Sequence, residues 1–207
     1  RRCQIRFLSG TNSNDMGGVH FLRRALPICL MSFVLAMFFS CKSDIEKDTK
    51  ALCSRPVRLH TDKMQCVYPM LKRDSALYHI NDGGKPYRLV VFLDSAECMS
   101  CATEKMHGWD EFLSEVSLDG KVSCFFIFSP KKEEKDRLHA LLVMERLEYP
   151  VYIDSTGVFT RENPHIPQAP MMHTFLINGK GKVVFVGDPR RDMKLNKLFY
   201  KTIGRDS

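Results

Sequence analysis

The sequence predicts an α/β fold, with a mixed central sheet flanked by helices behind an N-terminal extension. Three observations predict it. Leu89–Leu93 is an uninterrupted apolar run of strand length, and Val122–Phe128 is a second apolar run, broken only by Ser123. Runs without polar alternation mark strands covered on both faces. Stretches of helical spacing separate these runs, and strands separated by helices pair in parallel through right-handed crossovers. A late turn, Asn178-Gly179-Lys180-Gly181, lies between Thr174–Ile177 and Val183–Val186. It reads as a hairpin that adds an antiparallel edge.

The elements follow in order. Residues 1–40 read as a pre-sequence and signal peptide. Met16 reads as a start, Arg23-Arg24 as a basic region, and Ala25 to Ser40 as a short apolar stretch. That stretch is shorter than the ~20 residues a bilayer-spanning helix needs, and a basic region before it is the pattern of a secretory signal. With Ser40 before it, Cys41 looks like the lipidated first residue of a bacterial lipoprotein. An uncleaved signal anchor is the alternative. Both place the folded part outside the cytoplasm, where disulfides persist. The expected location is the cell envelope, facing the periplasm or the outside.

Residues 41–54 read as a solvated tether and 55–86 as an N-terminal extension. Val57, Leu59 and Val67 suggest a short strand or hairpin there, and Cys53 and Cys66 either pair or stay apart as buried thiols. The main domain is expected over 87–207. After the first core strand, Met106, Trp109, Leu113 and Val116 recur at helical spacing with Phe112 beside them. Gly108 inside that helix marks a kink or a close contact. A second helix is expected from Ser129-Pro130 to about Leu147, with Leu138, Leu141 and Leu142 inward. Val151–Ile153 is a short strand, and 155–171 a proline-rich loop or short helical insertion. The last helix runs from about Asp192 to Ile203, with Leu195, Leu198 and Phe199 inward.

Composition sets few limits. The chain has 207 residues, 44% hydrophobic and 27% charged, which is ordinary globular material. Its net charge of +7 owes much to five arginines against one aspartate in residues 1–40. The remaining excess, without Lys/Arg clusters interleaved with aromatics, gives no case for nucleic acid. Lys131-Lys132 and Arg190-Arg191 read as solvated helix ends.

The chemistry concentrates at Cys98-Met99-Ser100-Cys101, between the first core strand and its helix. Two cysteines at this spacing at a helix start suit thiol–disulfide exchange. The helix N-terminus favours a thiolate, and the second thiol, one turn in, resolves the mixed disulfide. By position Cys98 attacks and Cys101 resolves. Glu97 beside them opposes thiolate formation. A structural disulfide on a non-catalytic domain is the competing reading. A zinc site wants four ligands, and no second pair has suitable spacing. Cys124, within a buried strand pattern, reads as a small hydrophobe.

This order of elements, with Cys-x-x-Cys after the first core strand, resembles the thioredoxin-like superfamily and most of all its membrane-tethered thiol–disulfide oxidoreductases. The likeness covers roughly residues 86–203. It rests on Val90 through Cys101, on Tyr149-Pro150-Val151-Tyr152-Ile153-Asp154-Ser155-Thr156-Gly157, and on His173 through Val184. The resemblance implies a lipid-anchored oxidoreductase that needs no cofactor or metal. Its expected partners are exported protein thiols or disulfides, a redox partner protein and the membrane. It also implies a substrate groove across from the cysteines at the hairpin start. The family has a cis-proline there; this chain has Met172, beside His173, and these two are the groove candidates. The alternative from another class is a redox-inactive binding or structural module of the same fold.

Overall fold

A computed structural model of the chain describes residues 44–67, 84–95, 106–144, 147 and 149–205. The signal region, Cys41, Glu97 and the Cys98–Cys101 pair lie outside these residues. Within them, helix α1 (44–52) leads, followed by strands β1 (Gln65–Val67) and β2 (Tyr87–Leu93). Helix α2 (Asp110–Leu118), β3 (Val122–Phe128), α3 (Lys135–Met144) and β4 (Val151–Ile153) come next. Helix α4 (Val158–Glu162), the hairpin β5 (Thr174–Asn178) and β6 (Val183–Val186), and α5 (Met193–Thr202) complete the order.

The sheet order is β1-β4-β3-β2-β5-β6. β2 pairs in parallel with β3, and β3 with β4. β5 lies antiparallel to β2 and β6 antiparallel to β5. This is the predicted mixed sheet, with parallel strands in the middle and the late hairpin on one side. β2, β3 and β4 advance in one direction across the sheet, so right-handed crossovers place both connecting helices on the same face. Leu113 and Val116 of α2 accordingly share one core with Leu138 and Leu142 of α3.

The strand period of two divides each apolar run between two cores. Leu89, Val91 and Leu93 face the helices α2, α3 and α5, together with Phe126, Phe128, Phe185 and Phe199. Val90 and Phe92 face the opposite side with Ile127, Phe175 and Ile177. That second face is closed by Leu52 of α1, by Val57, and by Phe159 of α4.

Here the structure differs from the expected solvated tether over 41–54. Residues 44–52 are helical, and Leu52 is fully buried. Ile45, Thr49, Leu52 and Cys53 fall at i, i+4, i+7 and i+8, and that faint stripe covers a sheet face too apolar to leave in water. Of the extension, 65–67 forms the short strand, antiparallel to β4. Val57 instead docks by one backbone bond, its N–H donating to Gly181 O at 2.8 Å. Gly181, at φ +75, admits that approach, because a Cβ there would meet Val57 O at 2.7 Å. Cys53 packs at the margin of the second core and Cys66 stands opposite Tyr152, with no disulfide joining them.

Local chemistry sets the ends of the elements. The Asp192 carboxylate accepts the N–H groups of Lys194 and Leu195, both at 2.9 Å, and so starts α5. The Asn178 side chain accepts from Lys180 N and Lys182 N at 3.0 Å each, which closes the hairpin turn. Among the described residues, no helix is long and apolar enough to cross a membrane.

Candidate functional site

The carboxyl ends of the parallel strands β2, β3 and β4 share one edge of the sheet, where ligand sites of such sheets are usually built. Leu93, Asp94 and Ser95 leave β2 there, with Asp94 half-buried and Ser95 exposed. Ser129 N donates to Leu93 O at 2.9 Å, and Asp154 N to Phe128 O at 2.7 Å, which ties the three strand ends together. The start of β5 joins the same edge, since Phe92 N donates to His173 O at 2.9 Å.

Asp154 is 1% exposed, yet its carboxylate is satisfied. It accepts Val158 N at 2.9 Å and Phe159 N at 2.8 Å, which caps α4 and fixes the start of the 155–171 insertion. Asn163 then pins that insertion to the extension. Its Oδ1 accepts Arg58 N and its Nδ2 donates to Arg58 O, both at 2.8 Å.

The two groove candidates have their side chains turned inward. Met172 is fully buried among Leu52, Val90, Phe92 and Phe175, with Thr49 Oγ1 4.0 Å from its sulfur. It therefore contributes packing rather than a groove wall, because the apolar second face draws in a side chain that a proline there would not supply. His173 is 3% exposed. Its Nε2 lies 2.9 Å from Pro167 O, and since a carbonyl only accepts, Nε2 is the donor of that bond. The ring also packs against Phe92, centroids 5.0 Å apart. The His173 backbone N–H donates to Pro170 O at 3.1 Å, closing a 3-10 turn over Pro170–Met172. Pro170 and Met171 of this turn are exposed, Met171 at 43%. No cis peptide bond occurs among the described residues.

The sequence reading missed Arg190 as a packed residue. It is not a solvated helix end: its guanidinium carbon stands 3.6 Å from the Trp109 ring centroid, and it pairs with Asp188 at 2.8 Å. Asp188, two residues away, was the available signal. Trp109 is core, as expected, at 2% exposure.

Cys124 lies in β3 and is completely buried, which pushes its thiol from 9.0 up to about 12; nearby Lys85 opposes this only in part. It therefore does not compete with an exposed thiol for substrate. Iodoacetamide at pH 8 is expected to leave Cys124 unmodified in the native chain and to label it in urea; native labelling at the rate of an open thiol would contradict this. Its folded pKa is raised, so its contribution to stability is complete below pH 9 and is lost as pH rises toward 12. Among the described residues, no group of three or more His, Cys, Asp or Glu is placed to hold a metal ion.

No protein-family model matches the chain, and no curated relative does. Solved structures do. A thioredoxin-like protein in its oxidised form matches with a TM-score of 0.47 and 14% identity, over 74% of this chain and 97% of that one. A thioredoxin-like protein from Porphyromonas gingivalis matches with a TM-score of 0.40 and 19% identity, over 58% of this chain and 75% of that one. StoA from Bacillus subtilis matches with a TM-score of 0.37 and 20% identity, over 51% and 77%.

Proposed function

We propose that the protein is an exported, lipid-anchored thiol–disulfide oxidoreductase that works through Cys98 and Cys101. The observation that carries this reading is the position of the pair in the chain. Cys98 follows Ser95, where β2 leaves the carboxyl edge of the sheet, by three residues, and Cys101 follows three residues later. In the step proposed, the Cys98 thiolate attacks one sulfur of a substrate disulfide. The substrate S–S bond breaks, and the departing sulfur takes a proton. Cys101 then attacks the Cys98 sulfur and releases the second substrate thiol. The substrate gains two electrons, and the pair is left as a disulfide. A partner dithiol protein resets it, and the same steps run backwards oxidise a substrate. Sulfur-to-sulfur transfer of this kind requires no cofactor.

The burial of Met172 and His173 favours a second reading, a redox-inactive module of this fold, because neither side chain is open to a bound peptide. The reduction potential of the pair, with turnover of insulin or a model dithiol, separates the two. A potential below about −300 mV, in the range of inert structural bridges, together with no turnover, selects the second. The anchor has its own test. Growth with a labelled lipid precursor is expected to label the native chain and not Cys41→Ala; equal labelling of both would remove the anchor.

A further inference from the structure

Helix α5 presents a row of positive charge to the outside. Lys194, Lys197 and Lys201 stand at i, i+3 and i+7, so they share one side of the helix. All three are exposed, as are Arg191 and Met193 just before them, Met193 at 79%. The other side is buried through Phe199, Tyr200 and Ile203, with Leu195 and Leu198 packed against the same core. The packing of α5 on the sheet therefore turns the lysines outward.

No carboxylate answers these charges. Residues 193–205 contain no Asp or Glu. The Asp192 carboxylate is taken up by the N–H groups of Lys194 and Leu195. Among the described residues, neither Arg191 nor any of the three lysines has an ion-pair partner. The arginines on either side of them differ: Arg190 holds Asp188 at 2.8 Å and Arg205 holds Glu115 at 3.1 Å. Residues 1–40 supply five arginines less one aspartate, +4 of the net +7, which leaves +3 for the rest of the chain. The four cations on this one face exceed that remainder, so the excess is concentrated here.

The row is also fixed in place. Asp192 caps the first turn, and Lys121 Nζ donates to Ile203 O and Gly204 O at 3.3 and 3.2 Å, which ties the last carbonyls. A partner on this face would have no backbone to order.

We propose that the outer face of α5 is a docking surface for an anionic lipid bilayer, with Arg191 and the three lysines against its phosphate headgroups. From Lys194 to Lys201 the row covers about 10 Å of helix, and each cation near an anionic surface strengthens binding about fivefold. Met193 favours lipid over an acidic protein, because an exposed apolar side chain beside a basic row is the pattern of helices that lie in a membrane interface. The proposal takes from the exported reading only that a bilayer is at hand. Its geometry is independent of the cysteine pair and of any anchor.

The test uses the full chain carrying Cys41→Ala, so that no acyl chain contributes. Its partitioning is measured into vesicles of phosphatidylcholine alone and of phosphatidylcholine with an equal part of phosphatidylglycerol. Binding to the anionic vesicles is expected to be stronger by about a hundredfold or more and to weaken as salt is raised. The triple variant Lys194→Gln/Lys197→Gln/Lys201→Gln is expected to lose about a hundredfold on anionic vesicles and to change little on neutral ones. Lys131→Gln/Lys132→Gln, at exposed lysines before α3, is the control and is expected to stay within about twofold of the native chain. Equal partitioning into both vesicles, or a triple variant that binds anionic vesicles as well as the native chain, would overturn the proposal. Lysine-dependent binding to polyglutamate without preference for anionic vesicles would also overturn it, and would assign the face to an acidic protein. Loss of the anchor or of turnover leaves these measurements as they are, so failure of the redox reading is told apart from failure of this one.

Discussion

Cys98→Ser is expected to abolish turnover of insulin or a model disulfide, with a loss of at least about a thousandfold, and to leave the fold intact. Without the attacking thiolate neither step of the exchange begins. Cys101→Ser is expected to behave differently. The first attack proceeds, resolution fails, and the chain accumulates a mixed disulfide that can be trapped by acid quench and separated on a non-reducing gel. That asymmetry is the signature of an attacking and a resolving thiol. Equal, partial losses in both variants, together with a lowered denaturation midpoint, would point to a structural bridge.

Phe126→Ala is expected to cost about 3–5 kcal/mol of stability, the range for truncating a buried aromatic. Phe126 is completely buried in β3, between Tyr149 at 4.5 Å and Trp109 at 5.4 Å between ring centroids. Those two residues also hold Met106 and Arg190, and a close-packed site of this kind cannot collapse cheaply around a lost ring. Urea unfolding followed by circular dichroism measures the loss. A cost below about 1 kcal/mol would show that the aromatic cluster is not the centre of the core. Leu118→Ala, on the outer face of α2, is expected to change stability by less than about 0.5 kcal/mol.

Long apolar runs without alternation were legible because burial on both faces leaves no other composition for a central strand. The hairpin was legible because Asn178 and the glycines around it satisfy a turn by local bonds alone. Cys124 as a packed thiol followed from the run in which it stands. The candidate site was legible only as residue types at a spacing. Cys98 and Cys101 are consecutive enough in the chain to be recognised as a pair, and their chemistry follows from thiol reactivity.

What the sequence did not determine is set by contacts between distant residues. α1 carries only a faint stripe, and its burial depends on the apolar face of Val90, Phe92, Phe175 and Ile177 that β2 and β5 build far along the chain. Met172 turned inward for the same reason, since proximity to the hairpin start does not say which face a side chain takes. Arg190 looked like a solvated charge beside another. Only the fold brings Trp109 and the gap at Gly108 to it, so that a cation ordinarily kept in water rests on an aromatic face with its carboxylate partner. The sequence by itself determined the strands, the hairpin and the cysteine pair, because local periodicity and residue chemistry suffice for them. The tertiary structure decided what seals the second core and what packs on Met106 and Trp109, because both depend on surfaces that exist only once the sheet has formed.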